Sequence, residues 1–370
     1  MSYLRLDQLV GCAGILHPKS AALYLGAVVT TWLILASPAS QAGVILLYHH
    51  VDASTPPITS IKPDQFERHL NIIEEEGYSV LPLQDLVERS MATDADPTEK
   101  IVAITFDDAY QSIYTEAYPR LKKRDWPFTI FVAPGYVADN HPLYLSWQQL
   151  RAMADAGASI QNHTYRHAHL IRRQADESDA MWHERVKNDI SRAATLLAER
   201  GFETSQFAYT YGEYNPALLQ IVQEMNLTGF GQQSGAVGPT SDSRLLPRFP
   251  LSGVYVGAAA FRDKLRSLPM PVEFKDFDPL VDSDWQPKLT LNFLSGTTPH
   301  GLNCFGPGGA MALTAITPGS VLVTPAQDIS IGRSRYNCTY PQRTDQGIRY
   351  AWFSQLWIRK RPDGTWYPEP

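Results

Sequence analysis

A chain of 370 residues has ample material for a core and suggests one large domain or two smaller ones. Hydrophobic residues make up 44% and charged residues 19%, the proportions of a soluble globular protein. A net charge of −6 and a pI near 5.9 favour neither nucleic acid nor an anionic membrane surface; a neutral or partly cationic glycan is the easier partner.

The N-terminus carries an address. Ala21 to Ala36 is an apolar run without charge, preceded by Arg5 and Lys19 and followed by Ser37-Pro38-Ala39-Ser40-Gln41-Ala42-Gly43. Small residues at Ser40 and Ala42 suit signal-peptidase cleavage after Ala42, so residues 1–42 are expected to be a signal peptide. The competing reading is a retained membrane anchor, since the run approaches the roughly 20 residues that span a bilayer. Both readings place the rest of the chain outside the cytoplasm, in a periplasm or beyond. Cys12 falls in the N-terminal segment, which leaves Cys304 and Cys338 as an even pair expected to form a disulfide.

From Gly43 to about Met270, short apolar runs alternate with amphipathic segments. Val44-Ile45-Leu46-Leu47-Tyr48 reads as a buried strand. A helix capped by Asp64, with Phe66, Leu70 and Ile73 on one face, is ended by Gly77. Ser79 to Leu81 reads as a strand, Leu83 to Met91 as a helix, Ile101 to Phe106 as a strand and Ser112 to Lys123 as a helix. The alternation continues with strands at Phe128 to Val132 and Ala158 to Gln161 around a helix that starts after Ser146. A long helix over Asp179 to Arg200 precedes strands at Gln206 to Tyr209 and Thr228 to Phe230, with a helix from Pro216 between them. Such β-α repetition implies an α/β fold with a parallel sheet, either a barrel or a doubly wound sheet. Beyond Pro271 the texture changes. Asp276 to Pro287 is acidic and proline-containing, as a linker would be, and the strand-like runs Leu289 to Phe293, Ser320 to Thr324 and Ala351 to Ile358 predict a small β-sandwich-like module.

Two segments carry chemistry. Thr105-Phe106-Asp107-Asp108 places adjacent carboxylates at the C-terminal edge of a strand, where one can bind a metal while the other serves as a base. Asn162-His163-Thr164-Tyr165-Arg166-His167 places two imidazoles four residues apart, within reach of one cation. Either segment alone is commonplace. Their order and pairing are not.

Here the chain resembles a known family, the polysaccharide deacetylases (carbohydrate esterase family four, NodB-like). The family's first motif, Thr-Phe-Asp-Asp, is matched by Thr105 to Asp108. Its second, His-Ser/Thr-x-x-His, is matched by His163, Thr164 and His167, with Leu170 as the leucine that follows it. Leu47-Tyr48-His49-His50-Val51 and Phe207-Ala208-Tyr209-Thr210-Tyr211-Gly212-Glu213-Tyr214 look like the branch that deacetylates poly-β-1,6-N-acetylglucosamine in biofilms. The resemblance covers about residues 44 to 270.

It implies an irregular (β/α) barrel of about seven strands over 43–275, with 286–370 as a small C-terminal β-rich accessory domain that could bind glycan. It implies a hydrolase of linear amide bonds that removes N-acetyl groups from an N-acetylglucosamine polysaccharide. By resemblance, Asp108, His163 and His167 ligate a divalent metal, zinc in the first place, with cobalt or nickel as alternatives. Asp107 becomes the general base, the backbone after Tyr211 helps bind the oxyanion, and Arg248, in Leu246-Pro247-Arg248-Phe249, orients Asp107. Two residues depart from the third motif: Ala208 stands where the family usually has arginine and Thr210 where it has proline. No Leu-x-His motif supplies a general acid, and His49 is the histidine that can line the site. The resemblance leaves peptidoglycan or chitin oligosaccharides open as substrates, and a non-catalytic glycan-binding protein as the reading from another class. The implied partners are a polysaccharide and, through the N-terminus, a peripheral or anchored membrane association; no nucleic acid is implied and no oligomeric state is set. The aromatic residues Tyr340, Tyr350, Trp352 and Trp357 are read first as core for the C-terminal sheet and second as glycan contacts.

Overall fold

Seven parallel strands organise the N-terminal two-thirds of the computed structural model: β1 Gly43–Tyr48, β2 Ile101–Phe106, β3 Phe128–Val132, β4 Ala158–Asn162, β5 Gln206–Ala208, β6 Thr228–Phe230 and β7 Phe249–Pro250. Residues 42–94, 96, 98–275, 277–344 and 347–368 are described, so the expected signal or anchor segment lies outside them except for Ala42. The strands run in the order β7-β1-β2-β3-β4-β5-β6. Hydrogen bonding through the segment before β7 bridges the remaining gap: Leu246 N–H donates to Gly229 O at 2.7 Å, and Gly231 N–H donates to Leu246 O at 2.9 Å. A Cβ at Gly229 would lie 2.1 Å from the Arg244 carbonyl oxygen, so only glycine permits this approach. The fold is the irregular (β/α) barrel that the resemblance implies, one of the two arrangements the alternation leaves open.

Every residue of β1 and β2 is buried, because both faces of the sheet are covered. Val44, Leu46 and Tyr48, with Val102, Ile104 and Phe106, share a cluster with Phe66, Leu70 and Ile73 of α1 (Pro63–Glu75). Ile45 and Ala103 face the other way, into a cluster with Phe131, Ala208, Phe230 and Leu246 and with Leu83 and Leu86 of α2 (Leu83–Met91). The N-terminus of α1 differs from expectation: Lys62 is the cap and Asp64 lies inside the first turn, because Pro63 occupies the first helical position. Three further helices, α3 (Trp147–Ala154), α4 (Asp179–Glu199) and α5 (Pro216–Glu224), start at Ser146, Ser178 and Asn215, whose side chains accept from backbone N–H groups.

The remainder is β-rich: β8 Leu268–Pro269, β9 Leu280–Val281, β10 Leu289–Asn292, β11 Asn303–Gly306, β12 Ala312–Thr317, β13 Ser320–Thr324, β14 Gly332–Thr344 and β15 Gly347–Arg359. A long hairpin of β14 and β15 is its spine. Strand β11 pairs with β14 so that Cys304 and Cys338 are direct cross-strand partners, and they form the disulfide with Cα atoms 4.0 Å apart. Strands β10, β13 and β12 make a second sheet. The acidic stretch read as a linker contains β9, which pairs in parallel with β15, as does β8. Leu356 and Ile358 of β15 belong to the same buried cluster as Trp182, Val186 and Ile190 of α4, so the β-rich region and the barrel share core. Tyr340 and Trp357 are buried within it, whereas Tyr350 is exposed. Among the described residues no helix is long and apolar enough to cross a membrane.

Candidate metal centre and active site

The strand ends β2, β4 and β5 carry the motif residues to one end of the barrel, the position where parallel barrels build their sites. Asp107 and Asp108 follow β2, His163 follows β4, and Tyr211 lies in the turn after β5. Backbone shape helps to aim them. Asp108, Ala109, Thr164, His167 and Tyr211 all have left-handed φ between 52° and 71°. Non-glycine residues adopt that conformation at a cost, and their concentration in these turns marks a preorganised site.

Three ligand-type atoms converge. Asp108 Oδ1 lies 3.3 Å from His163 Nε2 and 3.0 Å from His167 Nε2. One ligand atom from each residue lies within 4.8 Å of the others, the one such group among the described residues. His163 Nδ1 faces the Ala208 carbonyl at 2.8 Å, so the proton sits there and Nε2 presents a lone pair inward. Asp108 Oδ1 and His163 Nε2 are buried without any hydrogen-bond partner. Two buried acceptors turned toward each other are costly unless a cation satisfies both. The donor set of one carboxylate and two imidazoles fits a divalent transition metal such as zinc.

Asp107, next to Asp108 in the chain, pairs with Arg248. Arg248 Nη1 and Nη2 donate to the two Asp107 oxygens at 2.7 and 2.8 Å, and both residues are fully buried. The remaining donors of Arg248 reach Gly231 O and Thr105 Oγ1. Burial pushes the Asp107 carboxyl up, but the Arg248 charge beside it holds it below the ordinary carboxylate range. Asp108 is likewise pushed up by burial and drawn well below that range, chiefly by the charge of His167.

The turn after β5 forms the facing wall. The Tyr211 ring packs edge-on against His167 at 4.3 Å and lies flat on His169 at 3.7 Å. Thr210 Oγ1 donates to Ala168 O at 2.5 Å, tying this turn to the segment after His167; a proline at 210 has no hydroxyl to do so. His49 follows β1 at the same end, and burial lowers its pKa against the opposing pull of Asp108 and Asp107. Next to it, His50 stacks on Tyr110 at 3.6 Å.

All six residues singled out from the sequence, Asp107, Asp108, His163, His167, Tyr211 and Arg248, therefore meet in one place. Sequence reading missed His169 and Glu213. His169 was within the second motif's reach, and its carboxylate partner Glu213 lies 44 positions away, so only the fold pairs them.

This geometry defines a candidate divalent-metal centre at one end of a parallel barrel. Residues 94–230 match the polysaccharide deacetylase family, which identifies that stretch as part of a polysaccharide deacetylase domain. It is 27% identical over 200 residues to the poly-β-1,6-N-acetyl-D-glucosamine N-deacetylase of Staphylococcus aureus, covering 52% of this chain and 68% of that one. It is also 27% identical over 233 residues to YxkH of Bacillus subtilis, covering 62% and 78%. Among solved structures, the Streptococcus pyogenes deacetylase PplD in complex with acetate superposes with a TM-score of 0.54 at 25% identity, over 61% of this chain and 99% of that one. IcaB from Ammonifex degensii gives a TM-score of 0.52 at 25% identity, over 60% and 98%.

Proposed function

We propose that this chain is an exported, divalent-metal-dependent N-deacetylase of poly-β-1,6-N-acetylglucosamine. The observation that carries the metal dependence is the convergence of the unpartnered Asp108 Oδ1 and His163 Nε2 with His167 Nε2. The likeness to the S. aureus enzyme, with the Tyr48-His49-His50 and Tyr211-Gly212-Glu213-Tyr214 segments, supports the choice of glycan. The disulfide and the small-residue pattern ending at Ala42 support export.

A divalent cation held by Asp108, His163 and His167 would polarise the amide carbonyl and lower the pKa of a water at the site. Asp107 is the base that takes the attacking water's proton, kept ionised by Arg248 and within the same pocket as the ligands. By resemblance, the backbone after the Tyr211 turn would donate an N–H to the carbonyl oxygen as it gains charge. The proton that Asp107 takes up is the one the departing amine requires.

Acetate release from poly-β-1,6-N-acetylglucosamine, chitin oligosaccharides and peptidoglycan, measured side by side, tests the substrate. Preference for either of the last two replaces the proposed glycan. Unchanged release after chelation, or in Asp108→Ala, removes the metal mechanism. A metal-loaded chain that binds glycan and never releases acetate is a binder, not an enzyme.

A further inference from the structure

Two side chains from the β-rich region reach the wall of the active site. Glu213, two residues after Tyr211 and 2% exposed, is their meeting point. Its Oε1 accepts from Arg333 Nη1 at 2.9 Å and from the Tyr367 hydroxyl at 2.6 Å, and its Oε2 pairs with His169 Nδ1 at 2.8 Å. Arg333 belongs to β14, 120 positions along the chain from Glu213, and its guanidinium carbon also lies 5.2 Å from the centre of the Tyr211 ring. Tyr211 in turn packs on His167, a residue of the candidate metal set.

A buried carboxylate persists only where charge and hydrogen bonds replace water. Here Arg333 supplies the guanidinium charge, and Tyr367 and His169 complete the hydrogen bonding. The left-handed backbone of Tyr211 likewise persists only where its surroundings hold it. The solved relatives match this chain over 98–99% of their own length yet span only 60–61% of it, so the rest of this chain has no counterpart in them.

We propose that Arg333 and Tyr367 are positioning residues of the active site. Acting through Glu213, they set the Tyr211 turn against His167, which makes the β-rich region a wall of the catalytic centre. The effect on turnover rests on the deacetylase reading; the effect on the turn does not.

The test combines steady-state acetate release with hydrogen–deuterium exchange on the metal-loaded full chain. Arg333→Gln should lower kcat by ~10-fold or more with KM within about twofold, because misplacing a reacting group is felt in the chemical step. Arg333→Lys should recover part of the loss. The double variant Arg333→Gln/Glu213→Gln should be no worse than Glu213→Gln alone, the signature of one shared unit. Exchange over 209–214 should quicken in Arg333→Gln and in Tyr367→Phe. Arg349→Gln, which removes a bond from β15 to Arg266 O, should leave both readouts unchanged. Losses in kcat that multiply in the double variant, an unaltered exchange rate over 209–214, or an equal effect from Arg349→Gln would each overturn the proposal. A wild-type chain without acetate release defeats the deacetylase reading instead, and the exchange measurement still decides the clamp.

Discussion

Arg248 grips both oxygens of Asp107, at 2.7 and 2.8 Å, and neither residue meets solvent. The segment that spans the gap between β6 and β7 thus also delivers the cation that keeps the candidate base ionised. Removing one partner of a buried pair strands the other. Arg248→Met is expected to destabilise the fold by about 3–5 kcal/mol and to lower kcat/KM by roughly 100-fold or more. Urea denaturation and acetate release check both effects. Asp107→Asn combined with Arg248→Met should recover much of the stability and none of the activity.

The ligand trio makes a second expectation. His163→Ala or Asp108→Asn should lower bound zinc from near one equivalent toward none, measured by elemental analysis of the purified chain. Chelated wild-type protein should lose activity and regain it with zinc, cobalt or nickel. Recovery by magnesium alone would contradict the imidazole-rich donor set, because magnesium prefers oxygen ligands.

Much of this centre is legible in the sequence because its parts are local. Ile101 to Phe106 is apolar on both faces and stops at the two carboxylates, and His163 and His167 share one turn. The long β14 strand was less readable. Tyr336, Cys338 and Tyr340 form its buried face, but they alternate with Arg335, Asn337 and Thr339 in a largely polar run that Pro341 interrupts, so the short apolar face is easily passed over. The Glu213–Arg333 pair is invisible from sequence for a different reason: nothing local ties two residues 120 positions apart until β15 docks on the barrel cluster.

Acid should loosen the packing around His69. This fully buried residue lies flat on Phe261 at 3.8 Å, accepts from the Tyr48 hydroxyl and donates to Val256 O, with Lys264 nearby. Burial lowers its pKa from 6.5 to about 4. The unfolded chain therefore takes up this proton at a higher pH than the folded chain does. Stability is full above about pH 6.5 and declines as pH falls toward about 4, by roughly 3 kcal/mol in total. In His69→Gln, the drop in unfolding free energy between pH 7 and pH 4.5 should be smaller by about 2 kcal/mol. An identical drop would rule His69 out as a contributor.

The disulfide closes a separation of 34 residues. Cys304→Ala/Cys338→Ala is expected to lower stability by about 3–4 kcal/mol from loop entropy in the unfolded chain. Thermal melts with and without reductant, on wild type and variant, measure it. A variant as stable as the oxidised wild type would show that the β14–β15 hairpin needs no cross-link.

Thr210 is the residue that most departs from the family's third motif, and the structure gives it work. Its hydroxyl bonds Ala168 O, one residue beyond His167, so the turn carrying Tyr211 and the second histidine are fastened together. Thr210→Val keeps the shape and removes the bond, at an expected stability loss of about 1 kcal/mol. If the fastening matters to the site, zinc affinity measured by competition with a chelator should fall several-fold more than this small loss of stability explains. Thr210→Ser, which retains a hydroxyl, should restore most of that affinity. Equal affinity in wild type and Thr210→Val would reduce the threonine to a substitute for proline with no part in holding the metal set.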